Sequence, residues 1–103
     1  MTSLDLIKGK YGSLRSVSEI RATLEKQGFA VFPWQDRSGA VYDAHSHPHD
    51  EYIVVASGQI VFTIGAREYL LEAGDVLVLP AGTVHSAVNR GRQSVHYFIC
   101  TRS

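Results

Sequence analysis

Apolar and polar positions change their period once along this chain. Between residues 16 and 28 the apolar side chains Val17, Ile20 and Leu24 recur at helical spacing, with Arg21, Glu25 and Lys26 off that stripe. Ser16 followed three residues later by Glu19 has the form of a capping box, and Gly28 with Phe29 beyond it reads as a helix stop. The pattern predicts one short helix lying across the outside of a sheet. From Phe29 onward the apolar, β-branched-rich runs are short: 29–34, 40–45, 52–56, 60–64, 68–71, 76–79, 84–88 and 95–101. Gly, Pro, Asp and Asn clusters separate them, such as Asp36-Arg37-Ser38-Gly39, Ser57-Gly58 and Pro80-Ala81-Gly82. Many short strands so punctuated predict an all-β antiparallel sandwich or barrel. No helical pattern interrupts them, which argues against a parallel α/β sheet. Residues 1–15 are weakly patterned and read as a frayed tail or an arm that pairs with a partner chain. The expected organisation is one domain, with an arm (1–15), a helix (16–28) and a β-barrel (29–103).

Composition narrows the function classes. Hydrophobic residues make up 45% and charged residues 19%, with zero formal net charge, which fits a globular fold rather than a disordered chain. No cluster of Lys and Arg offers a footprint for nucleic acid or an anionic membrane. No apolar stretch is long enough to span a bilayer, and the first residues lack the shape of a signal peptide. Cys100 is the single cysteine and cannot form an internal disulfide, so a cytoplasmic, reducing compartment and a packing role are expected.

Chemistry concentrates in the histidines. Three of the five lie in the run His45-Ser46-His47-Pro48-His49-Asp50-Glu51. Imidazole is the commonest metal-binding side chain, and two histidines one residue apart on an extended segment share a face. His85 follows the Pro80-Ala81-Gly82 turn. The full pattern reads Gly39-x5-His45-x-His47-x3-Glu51-x6-Gly58, then Gly74-x5-Pro80-x-Gly82-x2-His85-x3-Asn89. With every fixed position of both motifs filled, residues 39–89 resemble the cupin family.

The resemblance implies a double-stranded β-helix, the cupin jelly-roll barrel, in which His45, His47, Glu51 and His85 are the metal ligands. It also implies a homodimer. Three nitrogens and one oxygen suit one divalent transition-metal ion: Fe, Mn, Ni, Cu or Zn. A one-residue shift at the turn would present Asp50 in place of Glu51. His49 shares the parity of His45 and His47, but Pro48 is expected to swing it to the rim. His96, in the last strand, is a candidate proton carrier or a merely accommodated side chain. Tyr52 neighbours Glu51 and is expected to face away from the cavity; Tyr42, of opposite parity to His45, should do the same unless a bulge intervenes. Trp34 is expected in the core or in a dimer contact. Phe62, Ile64, Leu77, Leu79 and Phe98 are candidate cavity walls.

The near absence of Arg and Lys from the strands between residues 52 and 88 argues against a phosphorylated ligand. The pattern favours a small organic molecule that coordinates the ion through its own oxygen, as substrate of a metal-dependent oxygenase or isomerase. The alternatives are a non-catalytic metal or small-ligand binding module and a barrel that has lost its metal.

Overall fold

Strand alternation sets which side chains meet between layers. In the computed structural model, which describes residues 2–14 and 16–102, the elements in chain order are β1 (Asp5–Ile7), α1 (Val17–Lys26), β2 (Phe29–Asp36), β3 (Val41–His45), β4 (Glu51–Ser57), β5 (Gln59–Ile64), β6 (Arg67–Glu72), β7 (Val76–Leu79), β8 (His85–Val88) and β9 (Val95–Arg102). Every β run expected from the sequence is a strand. They form a five-stranded sheet of order β1-β7-β4-β9-β2 and a four-stranded sheet of order β3-β8-β5-β6. All pairings are antiparallel, which is the expected jelly-roll arrangement.

One core lies between the sheets, where Ile53 and Val55 of β4 meet Ile60 and Phe62 of β5, with Leu77 and Tyr97 beside them. The alternate residues of β4, β7 and β9, namely Val54, Val76, Phe98 and Cys100, point to the other face and pack under Ile20 and Leu24 of α1. The central strands are therefore buried on both sides, which explains their near-continuous apolar sequence. Cys100 is fully buried, and burial pushes its thiol up to about 12. It fills space, as expected, and is not a nucleophile at neutral pH.

The helix starts where its cap dictates: the Ser16 hydroxyl accepts a hydrogen bond from Glu19 N at 3.1 Å. Its buried stripe is narrower than the sequence suggests, because Ile20 and Leu24 are buried while Val17, in the first turn, lies exposed.

The N-terminal segment corrects another expectation. Its β1 pairs with β7 of its own chain, in the register Asp5↔Val78 to Ile7↔Val76. Asp75 holds the segment in place. Its carboxylate accepts from Gly9 N (2.7 Å) and Glu72 N (2.8 Å) and is paired with the Lys8 ammonium. Beside it, Gly74 packs directly against the backbone of Tyr11 and Gly12, and a Cβ there would lie 2.8 Å from Gly12 N. Burial by itself would raise the Asp75 pKa, but Lys8 and the two amides outweigh it and hold the carboxyl below its ordinary value. A depressed folded-state pKa contributes stability above the unfolded pKa of about 3.9 and loses it as pH falls through the folded value. Acid unfolding of the native chain should therefore steepen below about pH 4. In Asp75→Asn, stability at neutral pH should drop by roughly 1–3 kcal/mol and that acid dependence should flatten. Urea unfolding followed by circular dichroism at stepped pH measures both.

A candidate metal centre between the two sheets

Pairing of β3 with β8 places His45 directly across from His85. His47 lies two residues beyond the end of β3, where the chain turns toward β4. The β7–β8 loop fixes that turn: Gly82 N donates to the His47 carbonyl at 2.8 Å and Ala81 N donates to Asp50 Oδ1 at 2.7 Å. The Pro80-Ala81-Gly82 punctuation thus joins the two histidine-bearing segments to each other. Ring centroids are 4.4 Å apart for His45 and His85, 4.9 Å for His45 and His47, and 5.3 Å for His47 and His85. One nitrogen from each of the three rings lies within 4.8 Å of the others.

The rings are set to offer lone pairs inward. His45 Nδ1 lies 2.6 Å from the Asp43 carbonyl and His85 Nδ1 lies 2.9 Å from the Thr83 carbonyl. A carbonyl only accepts, so each Nδ1 carries the proton and each Nε2 is left bare. Orientation of a ligating histidine through its other nitrogen is the usual support in metal sites. Burial lowers the His85 pKa, and the neighbouring His45 and His47 push it the same way, against the opposing effect of the Thr83 carbonyl. A neutral ring is the form a metal binds.

Glu51 is buried at the start of β4, at the floor of this group. Its oxygens face imidazoles, with Oε1 3.8 Å from His47 Nε2 and Oε2 3.5 Å from His49 Nε2. It stands beside the three-histidine group, outside its tightest cluster. A buried carboxylate with no Lys or Arg in ion-pair range among the described residues is costly unless a cation reaches it. The donor set therefore suits a divalent cation. Asp50 does not share this position: its carboxylate is outside, bonded to Ala81 N and the Thr2 hydroxyl. His49 is exposed at the rim, as its place after Pro48 suggests.

The histidines open into a cavity of about 270 Å³ between the sheets. A larger groove, about 410 Å³, runs past Tyr52 and Cys100 on the other face of the five-stranded sheet. It shares Glu51 with the histidine cavity and contains none of the three grouped histidines. Tyr52 does face away from the histidine cavity. Tyr42 does not: the register of β3 against β8 shifts between Tyr42 and His45, and this bulge turns Tyr42 into the cavity wall. Trp34 is not in the core: it is half exposed and lines the same cavity. Of the proposed apolar walls, Phe62 lines the cavity; Leu77, Leu79 and Ile64 belong to the inter-sheet core, and Phe98 faces the helix. His96 is not part of the wall. Its neighbour Tyr97 points inward instead, so His96 is not placed to carry a proton there.

One participant carries no motif in the sequence. Asp36 reads as a turn residue, yet it ends β2 and is buried, accepting from Tyr42 Oη at 2.5 Å and Tyr97 Oη at 2.6 Å. Trp34 Nε1 donates to Tyr42 Oη at 2.8 Å. The detectable signal is an acid closing a mostly apolar strand.

The family model described as "Cupin domain" (Cupin_2) matches residues 34–101. No curated protein sequence matches the chain. Among solved structures, a cupin-2 domain containing protein from Shewanella frigidimarina superposes with a TM-score of 0.63 at 18% identity, covering 74% of this chain and 72% of that one. KdgF from Halomonas sp. gives a TM-score of 0.63 at 25% identity over 74% and 70% of the two chains. DMSP lyase DddQ from Ruegeria pomeroyi gives 0.66 at 22% identity over 74% of this chain but only 39% of that one.

Proposed function

The chain belongs to the cupin family, and on that premise we propose that it holds one divalent transition-metal ion through Nε2 of His45, His47 and His85 and the Glu51 carboxylate, and acts on a small organic molecule bound beside the ion. The observation that carries this reading is the pair of backbone carbonyls that fix the His45 and His85 rings with Nε2 bare, next to a buried carboxylate. When bound, such an ion supplies Lewis-acid polarisation of a ligand oxygen, or redox chemistry if it is Fe, Mn or Cu. The residues do the rest. The three histidines would hold the ion at the cavity and Glu51 would offset part of its charge, while Phe62, Ile53 and Ile99 form an apolar wall beside it.

Among the described residues no Lys or Arg lines the cavity, which favours a carboxylate or carbonyl compound over a phosphate ester. Its volume of about 270 Å³ falls just below the ~300–1,000 Å³ usual for drug-sized ligands, so the ligand is small. The test is metal content of the full chain purified without an affinity tag. About one equivalent of a transition metal per chain supports the reading, and a metal-free protein that takes up none on addition of Fe, Mn, Ni, Cu or Zn removes it.

A second reading, a non-catalytic binding module, is favoured by one feature: apart from the proposed ligands, the polar groups on the cavity wall are tyrosines and a tryptophan rather than a free base. Turnover of carbonyl and carboxylate compounds by the metal-loaded protein would decide for the enzyme.

A homodimer also belongs to this proposal. Pro33 sits in the edge strand β2, where its missing N–H blocks simple strand extension. Phe32 and Trp34 beside it are exposed at 55% and 47%, and Val41 on the edge strand β3 at 66%. These apolar side chains call for cover. Light scattering at micromolar concentration should give a dimer mass, and Phe32→Lys should give a monomer; a monomeric native chain contradicts the proposal. The unpaired, buried Cys100 fits a cytoplasmic setting, and among the described residues no helix is long and apolar enough to cross a membrane.

A further inference from the structure

The cavity wall away from the histidines carries a polar feature that metal binding does not require. We propose that the Tyr42 and Tyr97 hydroxyl oxygens, held by Asp36, form a second recognition point that accepts a hydrogen bond from the ligand, so that the ligand is bifunctional: a metal-binding oxygen at one end and a hydroxyl-type donor at the other. The inference rests on the metal-holding reading for the ligand's first end.

The argument is one of counting protons. A tyrosine hydroxyl has a single hydrogen, and both hydroxyls here give theirs to the Asp36 carboxylate, Tyr42 to Oδ1 and Tyr97 to Oδ2. Trp34 Nε1, the remaining donor of the group, is taken up by Tyr42 Oη. What this wall can still offer a ligand is acceptor capacity alone. Burial first, and Asp36 second, raise the pKa of both tyrosines, so the protons stay where they are and the polarity of the chain is kept. Asp36 is buried, and a buried carboxylate that receives two hydroxyl protons polarises those oxygens toward acceptance. The neighbouring surface is apolar, from Phe62, Ile53 and Ile99, so a ligand donor arriving here has these oxygens as its partners. Since no Lys or Arg among the described residues lines the cavity, a ligand carboxylate goes to the metal end and the donor end is directed to the tyrosines. The cavity of about 270 Å³ accommodates on the order of ten non-hydrogen atoms, taking ~30 Å³ for each as in liquid water. The ligand class is therefore a short hydroxylated carboxylate or carbonyl compound.

Trp34 is the chain's only tryptophan and lines this cavity, so its fluorescence reports on the ligand directly. The full chain, loaded with zinc, is titrated with ω-hydroxy monocarboxylates of about four to six carbons. Each is paired with the analogue bearing a methyl group in place of the hydroxyl, and with the ω-methyl ether. Zinc content is measured on the same samples. The hydroxyl-ended chain of at least one pair should bind about tenfold or more tighter than its methyl analogue, since a site built to bond a polar group rejects ligands lacking it. Tyr42→Phe and Tyr97→Phe should each bring that ratio to within about twofold without changing zinc content. Asp36→Asn tests polarity and keeps a hydrogen bond. An amide can donate to one hydroxyl oxygen and free that tyrosine's proton for the ligand, so the methyl ether should gain on the hydroxyl chain. Zinc held without any hydroxyl preference, including no measurable binding of the hydroxyl chains, overturns this inference alone. So does a preference that survives in Tyr42→Phe/Tyr97→Phe. A native chain that holds no zinc or other transition metal overturns the metal reading and this inference with it.

Discussion

The His47→Ala protein is expected to fold and to lose about 100-fold or more in metal affinity. Removing a partner that merely supports a metal ligand typically costs ~10–100-fold, and loss of a ligand belongs at or above the top of that range. The fold should survive because the contribution of this residue to local structure is its backbone carbonyl, which accepts from Gly82 N whatever the side chain is. The control is His49→Ala. That ring is outside the three-histidine group and exposed, and it touches the site only through Glu51 Oε2 at 3.5 Å, so its removal should cost about 10-fold at most, well short of His47→Ala. Metal content after dialysis, with competition against a chromophoric chelator, measures both. If His47→Ala keeps native stoichiometry and affinity, the assignment of the centre is wrong.

Gly58→Ala should be the most damaging small substitution in the framework. Gly58 joins β4 to β5 with φ +79°, and a Cβ there would sit 2.6 Å from the Ser94 carbonyl oxygen and 2.9 Å from Val95 Cα. These are backbone atoms at the entry to β9, next to the register shift between Val55 and Ser57, and no side-chain rotation relieves the overlap. Backbone strain and overpacking together should remove roughly 2–5 kcal/mol of stability. For a domain of this size that is on the order of 10 °C or more in Tm. Gly65→Ala is the comparison. Its φ of +61° is also positive, but nothing lies within 4 Å of the added Cβ, so only the conformational cost of about 1–2 kcal/mol applies. Scanning calorimetry of the two variants should separate them clearly; equal losses would mean that the Gly58 turn does not press on the Ser94–Val95 backbone.

The large features were legible because they rest on local rules. Apolar runs bounded by Gly and Pro marked each of the eight later strands, and the Ser16 hydroxyl caps α1 where the capping pattern placed it. β1 was not legible: three residues are too few for alternation to show, and the segment is held by Asp75 from a distant turn. Val17 has helical spacing but sits in the first turn, where the sheet does not reach it.

At the site the division is sharper. The histidines could be picked out because metal chemistry demands particular side chains at fixed spacing, and β3–β8 pairing then set His45 across from His85. The tyrosine wall could not be read in the same way. A single bulge after Tyr42 reverses the side to which that ring points, and a bulge adds one residue without changing the apolar pattern. Asp36 and Tyr97 come from paired strands of one sheet and Tyr42 from the other, so Tyr42 reaches Asp36 only once those sheets are stacked. The amino-acid sequence by itself determined the β architecture, the capped helix and the residues fit to ligate a cation, because each depends on side-chain chemistry and short-range periodicity. Tertiary structure alone decided the tautomers, the cavity and the acceptor wall, because these depend on register between strands far apart in the chain, where one residue's shift exchanges inside for outside.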